Sequence, residues 1–223
     1  MLFHSPRIVT DGLVLYLDAA NPRSYPGSGT TWSDLSGNGN NGTLINSPSY
    51  SADNLGSFGF DGANNFVSVS NSNSLNPSTN TLICWVKSNT STWNAYGTLM
   101  SKRNVFVIHP NQNITSVSYY YYLNNSWKSQ TINASDITVW NMYACSWDGS
   151  KISGYLNGIL KGTSTQTGPL NTSDAGVMEI GRDDQIASRV LNGNISHASL
   201  YNRALSPEEI EQNFNATRGR FGL

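Results

Sequence analysis

The chain has 223 residues, of which 38% are hydrophobic and only 12% charged, with a formal net charge of −1. A chain of this length can bury a full core in a single domain, and its near-neutral balance lacks the basic face that nucleic-acid binding requires. No apolar run approaches the roughly 18 residues needed to span a bilayer, and the start, MLFHSPRIVTDG, lacks the charged and apolar stretches of a secretory signal, so the expectation is a protein that stays where it is made or is released by lysis.

In chain order, period-two alternation of apolar residues marks a series of half-buried strands. The first is LVLYLD (13–18), with Leu13, Leu15 and Leu17 on one face. A Gly37-x-Gly39-x-x-Gly42 spacing follows, which matches a dinucleotide-binding loop only if a strand enters it and a helix leaves it. The Pro- and Gly-rich stretch upstream excludes the strand, and TLINSPSYSADN downstream has no helical period. The segment therefore reads as a tight polar loop in which Asp34, Ser36 and Asn38 bond back to their own backbone.

Further strands are predicted at 57–62, 66–70, 81–87, 97–101, 105–109, 115–123, 141–147, 151–157, 177–181 and 194–202. Asp148-Gly149 and Asn157-Gly158 favour hairpin turns and predict a three-strand meander around KISGYL. In SPEEIEQNFNATRG, Ser206 is a natural N-cap, Pro207 suits the first helical position, Glu209 closes a capping box, and Gly219 would end the helix. Ile210 and Phe214 give it a narrow apolar stripe. Many short antiparallel strands with Gly-rich turns mean a sandwich or barrel.

Chemistry-bearing residues are few. Cys84 and Cys145 sit in apolar strands, either as two buried thiols or, if those strands are neighbours, as a disulfide. His4, His109 and His197 fall in no metal-binding or nucleophile motif. The acidic pairs Asp183-Asp184 and Glu208-Glu209 lie in a turn and a helix cap, not on a strand where two carboxylates would flank a glycosidic bond. Aromatics are the remaining resource: Tyr119 and Tyr121 take one face of a strand, Tyr120 and Tyr122 the other. With Trp127, and with Trp93 and Tyr96 in another loop, Tyr119 and Tyr121 form the candidate glycan or partner surface.

The order WSDLSGNGNNGTL, FGFDGANNFVSV, TLICWVKS, YACSWDGSKISGYLNGIL, EIGRDD and GNISHASLYNRALSPEEI resembles the laminin G-like, concanavalin A-like jelly roll, closest to its pentraxin-related branch. The resemblance covers residues 11–216, between an N-terminal arm (1–10) and a C-terminal tail (217–223). It implies an all-β antiparallel β-sandwich with one short C-terminal helix, and a glycine loop that is a surface connection. It also places Cys84 and Cys145 on the two strands that pentraxins join by a disulfide. Many relatives bind Ca²⁺ at one end of the sandwich, and the matching oxygens would come from Asp183, Asp184 and Gln185, with Asn104 from across the site. Ser196 and His197 stand where relatives often carry Asp. The plain alternative is two solvated aspartates beside a turn, whose replacement with Asn leaves folding nearly intact.

Ca²⁺ is thus the one candidate cofactor, and no enzyme activity is expected. The leading expectation is a non-catalytic virion structural module, a bacteriophage capsid decoration or fibre protein on the particle surface. SPRIVTDGLVLYLDAANPRSY resembles openings of such phage-encoded domains, and MLFHSPRI and TRGRFGL would dock on a particle or a neighbouring copy. The alternative is an extracellular, lectin-like glycan-binding adhesin. Expected partners are other virion proteins, a cell-surface glycan and further copies of the chain, with no nucleic acid and no membrane span.

Overall fold

The computed structural model describes residues 6–94 and 96–223. Its strands are β1 (Leu13–Asp18), β2 (Thr31–Trp32), β3 (Gly42–Ile45), β4 (Ser49–Ser51), β5 (Ser57–Asp61), β6 (Phe66–Val69), β7 (Asn80–Ser88) and β8 (Met100–Lys102). They continue with β9 (Phe106–Pro110), β10 (Ser116–Leu123), β11 (Ser126–Asn133), β12 (Asn141–Trp147), β13 (Lys151–Leu156), β14 (Ile159–Thr165), β15 (Met178–Ile180) and β16 (Asn192–Tyr201), then helix α1 (Pro207–Thr217). All pair antiparallel, in two packed sheets. One runs β14-β13-β12-β7-β16-β5-β4 with β1 on β16, the other β11-β10-β9-β8-β15-β6-β3-β2. The expected all-β sandwich is therefore observed.

The core between the sheets takes alternate residues from both: Leu82, Cys84 and Val86 from β7, Phe106 and Ile108 from β9, Val117, Tyr119 and Tyr121 from β10. The other face of the first sheet is also buried. Ile83, Trp85, Met142 and Ala144 pack there beneath Ile210 of α1. A strand covered on both faces must be apolar throughout, which is why TLICWV reads as a continuous run. α1 has the predicted capping box at Ser206 and Glu209. Phe214 and Phe221 stack on Trp85, at 5.7 and 4.3 Å between ring centroids, and Trp85 Nε1 donates to Thr217 Oγ1 at 2.9 Å.

Several expectations need correction. Gly219 does not end the helix: a 3₁₀ turn over Arg218–Phe221 continues it and stops at Gly222, whose φ is 73°. The segment 217–223 is no free tail, since Thr217 and Phe221 belong to the apolar layer on Trp85. Of the proposed arm, residues 1–5 lie outside the described residues. Val9 is built in, its amide donating to Asn213 Oδ1 (2.8 Å) and its carbonyl accepting from Tyr201 Oη (2.9 Å). Leu13 does not share a face with Leu15 and Leu17, because the β1–β16 register slips between Leu13 and Leu15 and turns Leu13 toward the helix layer. The polar strand β11, SWKSQTIN, has no apolar alternation and was not foreseen. The meander around KISGYL is present as β12-β13-β14.

The cysteine strands are neighbours, yet both thiols are free. Cys84 stands opposite Tyr143, and Cys145 opposite Leu82. Diagonal Cβ atoms of such a pair lie about 7 Å apart, whereas a disulfide needs about 3.8 Å. Burial pushes both thiols far above their ordinary range.

Beneath the 3₁₀ turn, Arg220 reaches Asp18 Oδ1 (2.8 Å) and donates to Ser196 Oγ (2.6 Å). His197 is buried beside them, edge-on to Tyr16 at 5.0 Å, and among the described residues neither ring nitrogen has a hydrogen-bond partner. Burial lowers its pKa to about 4, opposed by Asp18 and assisted by Arg220. The ring is neutral in the fold and protonates near 6.5 when unfolded, so its contribution is complete above pH 6.5 and is lost as pH falls toward 4. The loss amounts to about 3 kcal/mol. His197→Phe keeps the edge contact and removes the titration. Denaturant midpoints measured from pH 7 to 4 should fall steeply for the wild type and by a visibly smaller amount for the variant.

Candidate functional site

Among the described residues no helix lies over the outer face of the second sheet. Residues there alternate with the core set: Val107 and His109 from β9, Tyr120 and Tyr122 from β10, Trp127 from β11. Tyr120 stands opposite Val107 and Tyr122 opposite Trp127. His109 and Tyr120 stack at 4.8 Å with planes 19° apart. Tyr96 meets His109 edge-on at 5.6 Å, and Trp127 meets Tyr120 the same way at 6.3 Å. Tyr96, Val107, His109, Tyr120 and Trp127, with Arg103 and Arg189, line an open cleft of about 260 Å³.

Two turns deliver the arginines. Arg103 lies at the tip of the β8–β9 hairpin, where Asn104 adopts φ 71° and Val105 donates to the Lys102 carbonyl at 2.9 Å. Arg189 comes from the loop between β15 and β16, and its carbonyl accepts from Thr98 (3.2 Å) and Asp183 (3.3 Å). Arg103 lies over the Trp127 ring at 5.4 Å, and Arg189 over Tyr96 at 5.0 Å, both within cation–π range. Tyr96 itself adopts φ 50°, a conformation rare for a bulky residue and most often kept where a site requires it.

Asp183 joins these parts. It is fully buried, and its Oδ2 takes Nη1 of Arg103 and, at 3.5 Å, Nη1 of Arg189. Its Oδ1 accepts the amides of Gln185 (3.1 Å) and Ile186 (3.2 Å). Asp184 accepts from Ser101 Oγ and from the Arg103 amide, and burial raises its pKa.

The calcium ligand set is not assembled here. Asp183 faces two guanidinium groups that a cation would have to displace, Gln185 is exposed, and Asn104 donates toward Asp174 at 3.4 Å. Among the described residues no group of three or more His, Cys, Asp or Glu side chains could hold a metal. The donors present do not fit a calcium ion, because cations already saturate the carboxylate. Nor are the two acids solvated beside a turn.

The candidate aromatic surface divides. Tyr119, Tyr121 and Trp93 are buried and cannot meet a ligand. Tyr119 Oη donates to the Tyr155 carbonyl (3.2 Å) and Tyr121 Oη to Asn80 Oδ1 (2.7 Å), which satisfies both buried hydroxyls. Gly154 makes room for the first ring: a Cβ there would lie 2.7 Å from Tyr119 Cε2. Tyr96 and Trp127 do reach the cleft. His109, Tyr120, Arg103 and Arg189 lie outside the candidate surface drawn from the sequence, and the fold brings them to the cleft. His109 Nδ1 is 2.9 Å from the Pro110 carbonyl. A carbonyl can only accept, so Nδ1 carries the proton and Nε2 of the neutral ring faces outward as an acceptor. Burial lowers the pKa of His109 and favours that neutral form.

The glycine loop closes elsewhere on Asp34. Its carboxylate accepts the amides of Tyr16 (2.9 Å), Ser36 (2.9 Å) and Asn40 (3.0 Å), so these amides turn inward.

Two antiparallel sheets, one face sealed by a capped helix and the other carrying an aromatic cleft, define a lectin-like jelly roll. The chain belongs to the concanavalin A-like lectin/glucanases superfamily, whose laminin G-type family model matches residues 61–211. No curated protein sequence matches it. Among solved structures, the botulinum neurotoxin serotype D binding domain shares the fold with TM-score 0.69 and 16% identity over 92% of this chain and 52% of that one. The serotype G binding domain gives TM-score 0.70 at 16% identity over 91% and 50%. The binding domain of Paraclostridial Mosquitocidal Protein 1 gives 0.69 at 15% over 93% and 52%. The chain thus spans about half the length of each, and at these identities the likeness is one of fold. No helix among the described residues is long and apolar enough to cross a membrane.

If Asp183 is the post on which both arginines rest, Asp183→Ala strands two cations and two amides. The expected cost is about 2–4 kcal/mol, where a solvated aspartate would cost within about 0.5 kcal/mol. Urea denaturation measures it, and melting curves with Ca²⁺ and with chelator are expected to superimpose.

Proposed function

We propose that the chain is a non-catalytic recognition module whose cleft on the open sheet binds a glycan. The observation that carries this is the aromatic lining of Tyr96, His109, Tyr120 and Trp127 around an open cleft. Such rings stack on the C–H faces of a sugar, while Arg103, Arg189 and His109 Nε2 supply polar contacts at the rim, the usual division of labour in a small-ligand site. Family membership supports a carbohydrate ligand, and the likeness to toxin binding domains supports recognition as the task. No carboxylate is among the described residues lining the cleft, whereas glycoside hydrolysis ordinarily uses two. The experiment is a glycan-array screen followed by calorimetry on the hits. Trp127→Ala should weaken binding about tenfold or more, the ~1–2 kcal/mol lost when an anchoring aromatic is truncated. Equal affinity in wild type and variant would exclude the cleft.

A second reading concerns where the module works. Display on the exterior of a particle or cell suits a recognition module, and a bacteriophage capsid decoration or fibre is its more specific form, supported by the phage-like opening segment. A multi-copy arrangement has one structural support: β14 is a free sheet edge, and Ile159 and Leu160 on it are 60% and 45% exposed, a combination that invites pairing with another copy. Sedimentation of the wild type against the Ile159→Lys, Leu160→Lys double variant checks this. An oligomer that the double variant breaks supports edge pairing, and a wild-type monomer rejects it.

A further inference from the structure

Resting on the glycan-binding reading of this cleft, we infer that its ligand is an acidic sugar, and that Arg103 and Arg189 select it by its carboxylate. Two guanidinium groups converge on the cleft, and the one buried carboxylate between them is Asp183. Both guanidinium groups line the cleft and neither acid does: Asp183 is fully buried, and the Asp184 carboxyl is turned onto Ser101 Oγ and the Arg103 amide.

Each guanidinium carries five donors in a planar fork. Among the described residues, the side chain of Arg103 donates only to Asp183 through Nη1, and Arg189 does the same at 3.5 Å. Their side chains are 19% and 23% exposed, so the remaining donors are partly desolvated and open to the cleft. That environment strengthens a charge-assisted pair relative to one in free solvent.

The arginines are also held in place. Asp183 fixes one end of each guanidinium, and the Trp127 and Tyr96 rings support their faces at 5.4 and 5.0 Å. An arginine that served only to neutralise Asp183 would need neither a second arginine nor an aromatic rest at the mouth of a cleft. A carboxylate matches the fork with two parallel hydrogen bonds, while the sugar ring that bears it would lie on Tyr120 and Trp127. A neutral sugar would leave the guanidinium donors partly desolvated and unpaired, which opposes its binding.

The test uses the whole chain and four probes of equal length: a uronic-acid tetrasaccharide, the same compound with its carboxylates methyl-esterified, a neutral tetrasaccharide and a sulfated one. Calorimetry at low and moderate salt reads the affinities. The wild type should bind the free acid at least tenfold more tightly than its ester, with the advantage shrinking as salt rises. In Arg189→Gln the acid-to-ester ratio should fall to within about twofold, and Arg189→Lys should restore part of it. A wild type that binds acid, ester and neutral sugar alike overturns the inference and leaves the glycan-binding reading standing. Preference for the sulfated probe over the carboxylated one overturns the carboxylate assignment. Failure to bind any of the four, together with an empty glycan array, overturns both. The acid-to-ester comparison needs no variant, so it stands even if Arg189→Gln folds poorly.

Discussion

The burial of Trp85 governs how this sandwich meets its surroundings. Trp85 points out of the first sheet, away from the core, and a bare indole there would leave that sheet without a solvated face. The C-terminal helix supplies the cover: Phe214 and Phe221 stack on the ring and Thr217 takes its N–H. Once that face is sealed, the outer face of the other sheet is the one left open. The aromatic cleft lies there, where among the described residues no helix packs.

The capping chemistry of α1 therefore bears on function at a distance. Ser206 and Glu209 fix where the helix begins, and Arg203 pairs with Glu209 through both terminal nitrogens, at 2.7 and 2.6 Å. These contacts hold Ile210 and Phe214 at the register in which they reach Ile83 and Trp85. The buried His197 belongs to the same seam, where Asp18 and Arg220 tie the first strand to the last turn. Acid that charges His197 would loosen this seam.

How much of this was legible in the sequence depended on how local the signal was. Strands with alternation, the Asp148-Gly149 and Asn157-Gly158 hairpins and the helix cap are set by neighbours within a few residues, and they appear where expected. The tyrosine faces were also legible, though misassigned. Val117 and Leu123 share the phase of Tyr119 and Tyr121, while Ser116 and Ser118 share that of Tyr120 and Tyr122, and that phase puts the odd-numbered rings inward. Strand β11 had no such signal, since it is a polar edge strand paired on one side only. The cleft was the least legible feature. Arg103 and Arg189 are brought together by Asp183 across two separate loops, and no spacing in the chain announces that convergence. Reading Asp183 and Asp184 as metal ligands located the right loop but assigned it the wrong charge partner.

That error has a physical lesson. A buried carboxylate needs a cation, but the sequence around it does not say whether the cation is a metal or a guanidinium. The choice alters the surface that results. A calcium ion held by Asp183 and Asp184 would face the ligand as a point charge that accepts oxygens from any direction. Two arginines present planar forks of fixed orientation, resting over the Trp127 and Tyr96 rings. Tyr96 at φ 50° and Asn104 at φ 71° flank this arrangement, and each holds its turn in a conformation that sets where the neighbouring side chains project. Conformational cost at those two turns, spent in folding, does not have to be spent again when a ligand arrives. The cleft thus combines a sheet that fixes the faces of His109, Tyr120 and Trp127 with two loops whose arginines are held by one buried carboxylate.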